Sequence, residues 1–134
     1  ANQPSFNPNN RPQIHDGRFR NRAVTDVFEP GSTLKAFSVA NALTSGHFNP
    51  DTIIDTRPGW MFIGDKKVQD VSNHGVLTVT GVLQKSSNVG VTKMTLTLPP
   101  ESLWTLLNKI GFGQRTESDF PGERTGVLPH PRIW

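Results

Sequence analysis

Apolar positions along the chain come in blocks, separated by segments rich in Pro, Gly, Asn and Ser. Residues 1–22 hold three prolines, five asparagines and no sustained apolar period, so they read as irregular. The stretch from Arg22 to Phe28 reads as extended and ends at the turn Glu29-Pro30-Gly31. From Thr33 to Leu43, the residues Leu34, Ala36, Phe37, Val39, Ala40, Ala42 and Leu43 spread apolar surface around nearly a whole helical circumference. Such a helix is normally buried in a larger domain. Ser45-Gly46 stops it, and Asn49-Pro50-Asp51 is a turn.

Residues 52–72 carry strand signals. Ile53-Ile54, Trp60-Met61-Phe62-Ile63 and Val68-Gln69-Asp70-Val71 are punctuated by Pro58-Gly59 and Gly64-Asp65, which predicts a hairpin or small sheet. Thr78 is placed to cap a helix from Val79 to Lys85. Ser86-Ser87-Asn88 interrupts it, because these side chains compete for backbone hydrogen bonds, and helix resumes from Val89 to Leu98. Pro99-Pro100 ends that piece. Glu101 to Ile110 is amphipathic, with Leu103, Leu106, Leu107 and Ile110 on one face and Gly111 beyond its end. Phe112 to Trp134 reads as loop, and no internal repeat is present.

Composition makes the expected core thin. The 134 residues are 34% hydrophobic with a mean hydropathy of −0.43, and they include 12 glycines and 11 prolines. That thinness suggests an incomplete chain. The formal net charge is +3. The one basic cluster, Arg18-Phe19-Arg20-Asn21-Arg22, reads as a solvated loop, the competing reading being a phosphate or anionic-lipid contact. Nucleic acid is not expected as a partner, since stacking aromatics are not interleaved with a larger basic patch. With no cysteine, disulfides, thiolate catalysis and cysteine-based zinc sites are excluded. No run nears the ~18 apolar residues that cross a bilayer, and no signal peptide opens the chain. Any targeting segment is expected upstream of Ala1.

Candidate chemistry begins at Ser32-Thr33-Leu34-Lys35. On a helix, residues three apart share a face, so the Lys35 amine can reach the Ser32 hydroxyl. A serine hydroxyl attacks a carbonyl when a base takes its proton, and a neutral lysine can serve. Burial and the positive end of a helix dipole both favour the neutral amine. Free N–H groups of the first turn, that of Ser32 included, can hold a developing oxyanion. A shuffled chain with nine serines and six lysines would show Ser-x-x-Lys about 0.4 times. Lys35 is, however, the only charged residue between Pro30 and Asp51. On spacing and placement alone, a lysine snorkelling to solvent above a plain Ser32 N-cap fits equally well.

Ser86-Ser87-Asn88 adds a Ser-x-Asn triplet, in which Ser86 can relay protons and Asn88 can hold the lysine and a substrate. A second Ser-x-Asn occurs at Ser5-Phe6-Asn7, and a simple helix break explains the triplet as well. His15, His47, His74 and His130 do not fall at metal-ligand spacing, and Asp26, Glu29, Asp65 and Asp70 form no paired pattern. No Gly-rich phosphate loop is present.

The string from Asn21 through Glu29-Pro30-Gly31-Ser32-Thr33-Leu34-Lys35 resembles the active-site stretch of class B penicillin-binding proteins. Gly81-Val82-Leu83-Gln84-Lys85-Ser86-Ser87-Asn88-Val89-Gly90 resembles their second motif, and Pro4 to Asn9 and Gly122-Glu123-Arg124-Thr125-Gly126 also match. Within that class the strings are most similar to the division-specific transpeptidases of Gram-negative bacteria, the penicillin-binding protein 3 type. The resemblance spans nearly the whole chain in one order.

The resemblance implies an α+β, serine β-lactamase/transpeptidase-like fold and a peptidoglycan D,D-transpeptidase of septal wall synthesis. Ser32 would attack the penultimate D-Ala carbonyl of a stem peptide, Lys35 would be base and acid, Ser86 would relay protons, and Asn88 would orient Lys35 and substrate. β-Lactams, which imitate D-Ala-D-Ala, would acylate Ser32. No metal or organic cofactor is implied. Division-machinery proteins are implied as partners, and the periplasmic face of the bacterial inner membrane as the location, with the anchor outside this chain.

The family's third motif, Lys-Thr-Gly, is absent: the six lysines precede Ala36, Lys67, Val68, Ser86, Met94 and Ile110. Residues 1–134 are therefore expected to be a partial transpeptidase domain, mainly the helical subdomain with a β-hairpin and most of the central sheet missing. Alone it is expected to label poorly with penicillin, lacking half of the oxyanion hole. A serine β-lactamase or β-lactam sensor shares Ser-x-x-Lys with flanks that fit less well. A non-catalytic folding or interaction segment is the reading from another class.

Overall fold

The computed structural model describes Asn7, Asn9, Gly17 and residues 19–133. The Pro4–Asn9 string (all but Asn7 and Asn9), the Ser5-Phe6-Asn7 triplet (all but Asn7), His15, Arg18 and Trp134 lie outside the described residues. The chain forms two compact units, Ala1–Glu29 with Gly111–Leu128, and Pro30–Ile110 with Pro129–Trp134.

The first unit is loop-rich. Its helix α1 (Arg22–Thr25) replaces the extended segment expected there. The cause is local: Thr25 Oγ1 donates to Asn21 O at 3.0 Å, and Asp26 pairs with Arg20 at 2.6 Å and with Arg22 at 3.6 Å, which closes one helical turn. Two arginines of the basic cluster are thus engaged with Asp26. Further along, the Glu123 carboxylate accepts from the hydroxyls of Thr116 and Ser118, at 2.9 Å each, and from both their backbone N–H groups.

The second unit is mixed helix and strand. A 3-10 turn (Gly31–Leu34) leads into α2 (Lys35–Thr44). Then come β1 (Ile53–Asp55), β2 (Trp60–Ile63), β3 (Lys66–Gln69) and β4 (Val76–Thr78), followed by α3 (Val79–Gln84), α4 (Asn88–Leu96) and α5 (Pro100–Lys109). A second 3-10 turn at Pro131–Ile133 closes the described chain, where the sequence pattern indicated only loop.

The strands form two antiparallel pairs. β2 and β3 make the expected hairpin, with Trp60 opposite Gln69 and Ile63 opposite Lys66. β1 pairs with β4, Ile54 opposite Leu77. β4 is three residues long, too short to show a period.

The core joins helices to the β1–β4 pair: Val39 and Ala42 of α2, Ile54 of β1, Val79 and Val82 of α3, Met94 of α4, and Leu98. α2 does not bury its whole circumference. Ser38, Val39, Asn41 and Ala42 are buried, whereas Ala36, Ala40 and Leu43 are exposed. Both buried polar members are bonded, Asn41 Nδ2 donating to Ser102 Oγ of α5 at 2.9 Å and Ser38 Oγ to Leu34 O at 3.4 Å. α5 behaves likewise: Leu107 is buried, Leu103 and Leu106 are half-buried, and Ile110 is exposed.

Thr78 caps α3 as its position suggested, accepting from Gly81 N. Pro99-Pro100 does two things, since Pro100 also opens α5 at a position where its missing N–H costs nothing.

Candidate active site

Ser32 stands on the 3-10 turn and not inside the α-helix. Thr33 Oγ1 donates to Pro30 O at 2.6 Å, and the Lys35 N–H bonds Ser32 O, so the turn is wound tighter than an α-helix. Residues i and i+3 eclipse in a 3-10 turn, which leaves Ser32 and Lys35 on one face. Ser32 is exposed and Lys35 half-buried.

The Lys35 amine donates to Ser86, at 2.9 Å to Oγ and 2.5 Å to the carbonyl oxygen. Among the described residues it makes no hydrogen bond to Ser32. Lys35 is therefore not a snorkelling lysine with its head in water; it reaches across to the corner between α3 and α4. Partial burial holds the amine below its ordinary lysine range, while the Asp70 carboxylate pulls the other way.

The 86–88 corner is more than a helix break. Ser86 has φ +53°, a left-handed conformation that non-glycine residues rarely adopt. It turns both polar oxygens of the residue toward Lys35. Ser87 is fully buried and caps α4, its Oγ accepting from Gly90 N at 2.9 Å. Asn88 begins α4 and donates from Nδ2 to Gln69 O of β3 at 2.6 Å. The geometry thus ties Asn88 to the hairpin and not directly to Lys35.

One residue of this cluster escaped the sequence reading. Asp70 is buried, and its carboxylate accepts from Ser87 Oγ at 2.6 Å and from Val89 N at 3.0 Å. The available signal was alternation, since Asp70 shares an inward register with Val68 two residues before it. Its own backbone is held by Gly59, whose carbonyl accepts from Asp70 N at 2.9 Å. Gly59 is buried, has φ +93°, and leaves only 3.0 Å between a would-be Cβ and Asn73 Cα, so no other residue fits there without strain.

The cluster therefore contains a serine hydroxyl with no hydrogen-bond partner among the described residues, an amine biased toward neutrality, a second hydroxyl bonded to that amine, and a buried carboxylate behind it. Such a set can deprotonate a nucleophile and carry the proton onward.

Comparison with known proteins shows the family of the chain. A family profile described as penicillin binding protein transpeptidase domain matches residues 1–133. Over its whole length the chain is 45% identical to the probable peptidoglycan D,D-transpeptidase PbpC of Pseudomonas aeruginosa and 42% identical to the peptidoglycan D,D-transpeptidase FtsI of Escherichia coli. It spans 24% and 22% of those proteins. The apo transpeptidase domain of Burkholderia pseudomallei penicillin-binding protein 3 superposes with a TM-score of 0.83 at 43% identity, covering 86% of this chain and 35% of that one. The small sheets seen here agree with the partial α+β fold expected from the sequence. The chain belongs to the penicillin-binding protein transpeptidase domain family.

Proposed function

We propose that this chain supplies the nucleophile, base and proton relay of a peptidoglycan D,D-transpeptidase acting in septal wall synthesis. The observation that carries the reading is the Lys35 amine bonded to both oxygens of Ser86 while sharing a face with Ser32. Ser32 Oγ attacks the penultimate D-Ala carbonyl of a stem peptide, and its proton passes to the neutral Lys35 amine. The Ser32 N–H, at the start of the helical segment, stabilises the oxyanion. The proton then returns through Lys35 and Ser86 to the departing D-Ala amine, leaving an ester on Ser32. An amine from a second stem attacks that ester, gives up a proton by the same route and restores the Ser32 hydroxyl. Asn88, at the corner beside Ser86, offers its side-chain carbonyl to the substrate. β-Lactams enter as mimics of D-Ala-D-Ala and stop at the ester.

Septal action implies division-machinery partners and a periplasmic site on the inner membrane. No helix among the described residues is long and apolar enough to cross a membrane. The test is peptide mapping by mass spectrometry after incubation with a fluorescent penicillin. The protein is used in a form extended to the length of the relatives' transpeptidase domain. A penicilloyl adduct on the peptide bearing Ser32 is expected; an unmodified Ser32 at saturating penicillin sinks the reading.

A further inference from the structure

The triplet's hydrogen bonds lead to a residue that none of the chemical steps above uses. Three bonds fasten residues 87–89 from outside the corner, and all come from consecutive residues at the end of the hairpin. Gln69 O takes Asn88 Nδ2, and the two oxygens of Asp70 take Ser87 Oγ and Val89 N. Within the corner, Ser86 N reaches Leu83 O and Ser87 N reaches Val82 O, at 3.1 and 3.0 Å, which closes α3. Ser86 is left between these two fastenings with φ +53°. A left-handed serine is strained and persists only where its surroundings dictate it. The carboxylate is buried and offers one acceptor oxygen to each partner.

We infer that Asp70 is a positioning residue of the proposed acylation machinery, holding the 86–89 corner so that the Ser86 hydroxyl and carbonyl stay turned to the Lys35 amine. The inference rests on the transpeptidase reading. Asp70 touches neither substrate nor nucleophile and acts through Ser87 and Val89. It acts a second way through space, as a negative charge favouring the protonated form of Lys35. Other charges on elements around α2 do not share this role. Lys93 of α4 donates to Asp55 O, and Lys85, Glu101 and Lys109 are exposed to solvent.

The experiment measures the second-order rate of acylation by penicillin against pH for wild type, Asp70→Asn and Ser87→Ala, in the form extended as above. Wild type labelled at Ser32 upholds the transpeptidase reading before any variant is compared, so the two failures are distinguishable. Asp70→Asn is expected to lower the rate on the order of 10-fold to 100-fold, as misplaced catalytic groups do. The midpoint of its rising limb is expected to move to lower pH, because Lys35 loses the charge that favours its proton. Ser87→Ala is expected to lower the rate with the midpoint unmoved. A folded Asp70→Asn with a rate within twofold of wild type overturns the inference, and so does a lowered rate with an unshifted midpoint. Should Asp70→Asn fail to fold, acylation of Ser87→Ala at the wild-type rate overturns it.

Discussion

Ser32 and Ser86 are both exposed serines at bends in the chain, and they are held in opposite ways. The Ser32 turn is made from within, by bonds among Pro30, Ser32, Thr33 and Lys35. The Ser86 corner is made from without, by Asp70 and Gln69 of the hairpin and by close packing of α4 on α3. On the proposed reading Ser32 is a nucleophile that must move through attack, ester and release, so a turn whose side chain makes no hydrogen bond among the described residues suits it. On the same reading Ser86 is a relay that must keep one distance to the lysine throughout, so a fastened corner suits it. Lys35 joins the two, with its backbone on the self-made turn and its amine in the corner.

Substitutions separate these roles by size of effect. Ser32→Ala should abolish penicillin labelling, a loss on the order of 10⁵-fold in acylation. Because the side chain is exposed and makes no hydrogen bond among the described residues, its unfolding free energy should stay within about 0.5 kcal/mol of wild type in urea. Lys35→Met should lower acylation on the order of 10²- to 10⁴-fold, read as the loss of the base. It should also flatten the rise of rate with pH. In wild type that rise should centre below the ordinary lysine range, because burial disfavours the charged amine.

Effects that act through the fold come next. A Cβ added at Gly90 would lie 2.6 and 2.9 Å from the two methyl carbons of Val82 and 3.1 Å from Ser87 Oγ. Gly90→Ala should therefore cost about 1–3 kcal/mol by overpacking, measured by denaturant unfolding, and should slow acylation by displacing the corner. Thr78→Ala removes a cap from α3 and should cost about 1 kcal/mol with little change in acylation.

The smallest effect is in the other unit. Hydrogen bonds from Thr116 and Ser118 hold the Glu123 carboxylate below its ordinary range. Its contribution to loop order is thus present above the usual glutamate pKa and lost as pH falls through the depressed value. Protection of the Thr116 and Ser118 amides, taken relative to their intrinsic exchange rate at each pH, should fall on acidification in wild type, and Glu123→Gln should remove that pH dependence.

The same contrast governed what could be read from the sequence. The self-made features were legible: Pro30-Gly31 before Ser32, the Thr78 cap, the Trp60–Gln69 hairpin and the break at 86–88 each depend on residues a few positions apart. Features made from a distance were not. The β1–β4 pairing leaves too short a strand to show a period, and Asp70 looks like any strand-end acid until Ser87 and Val89 are brought to it. The helical turn at Arg22–Thr25 depends on the Arg20 and Arg22 pairs with Asp26, which composition alone could not assign. For α2, periodicity gave the helix but not its start, because the Thr33–Pro30 bond tightens the first turn.

The most direct measurement is a crystal structure of the penicillin adduct, grown from the extended form. Lys35 Nζ is expected within about 3.2 Å of both the Ser32 ester oxygen and Ser86 Oγ, with Ser86 still in the left-handed conformation. An adduct on another residue, or a Lys35 amine that has left Ser86 for solvent, would contradict the relay.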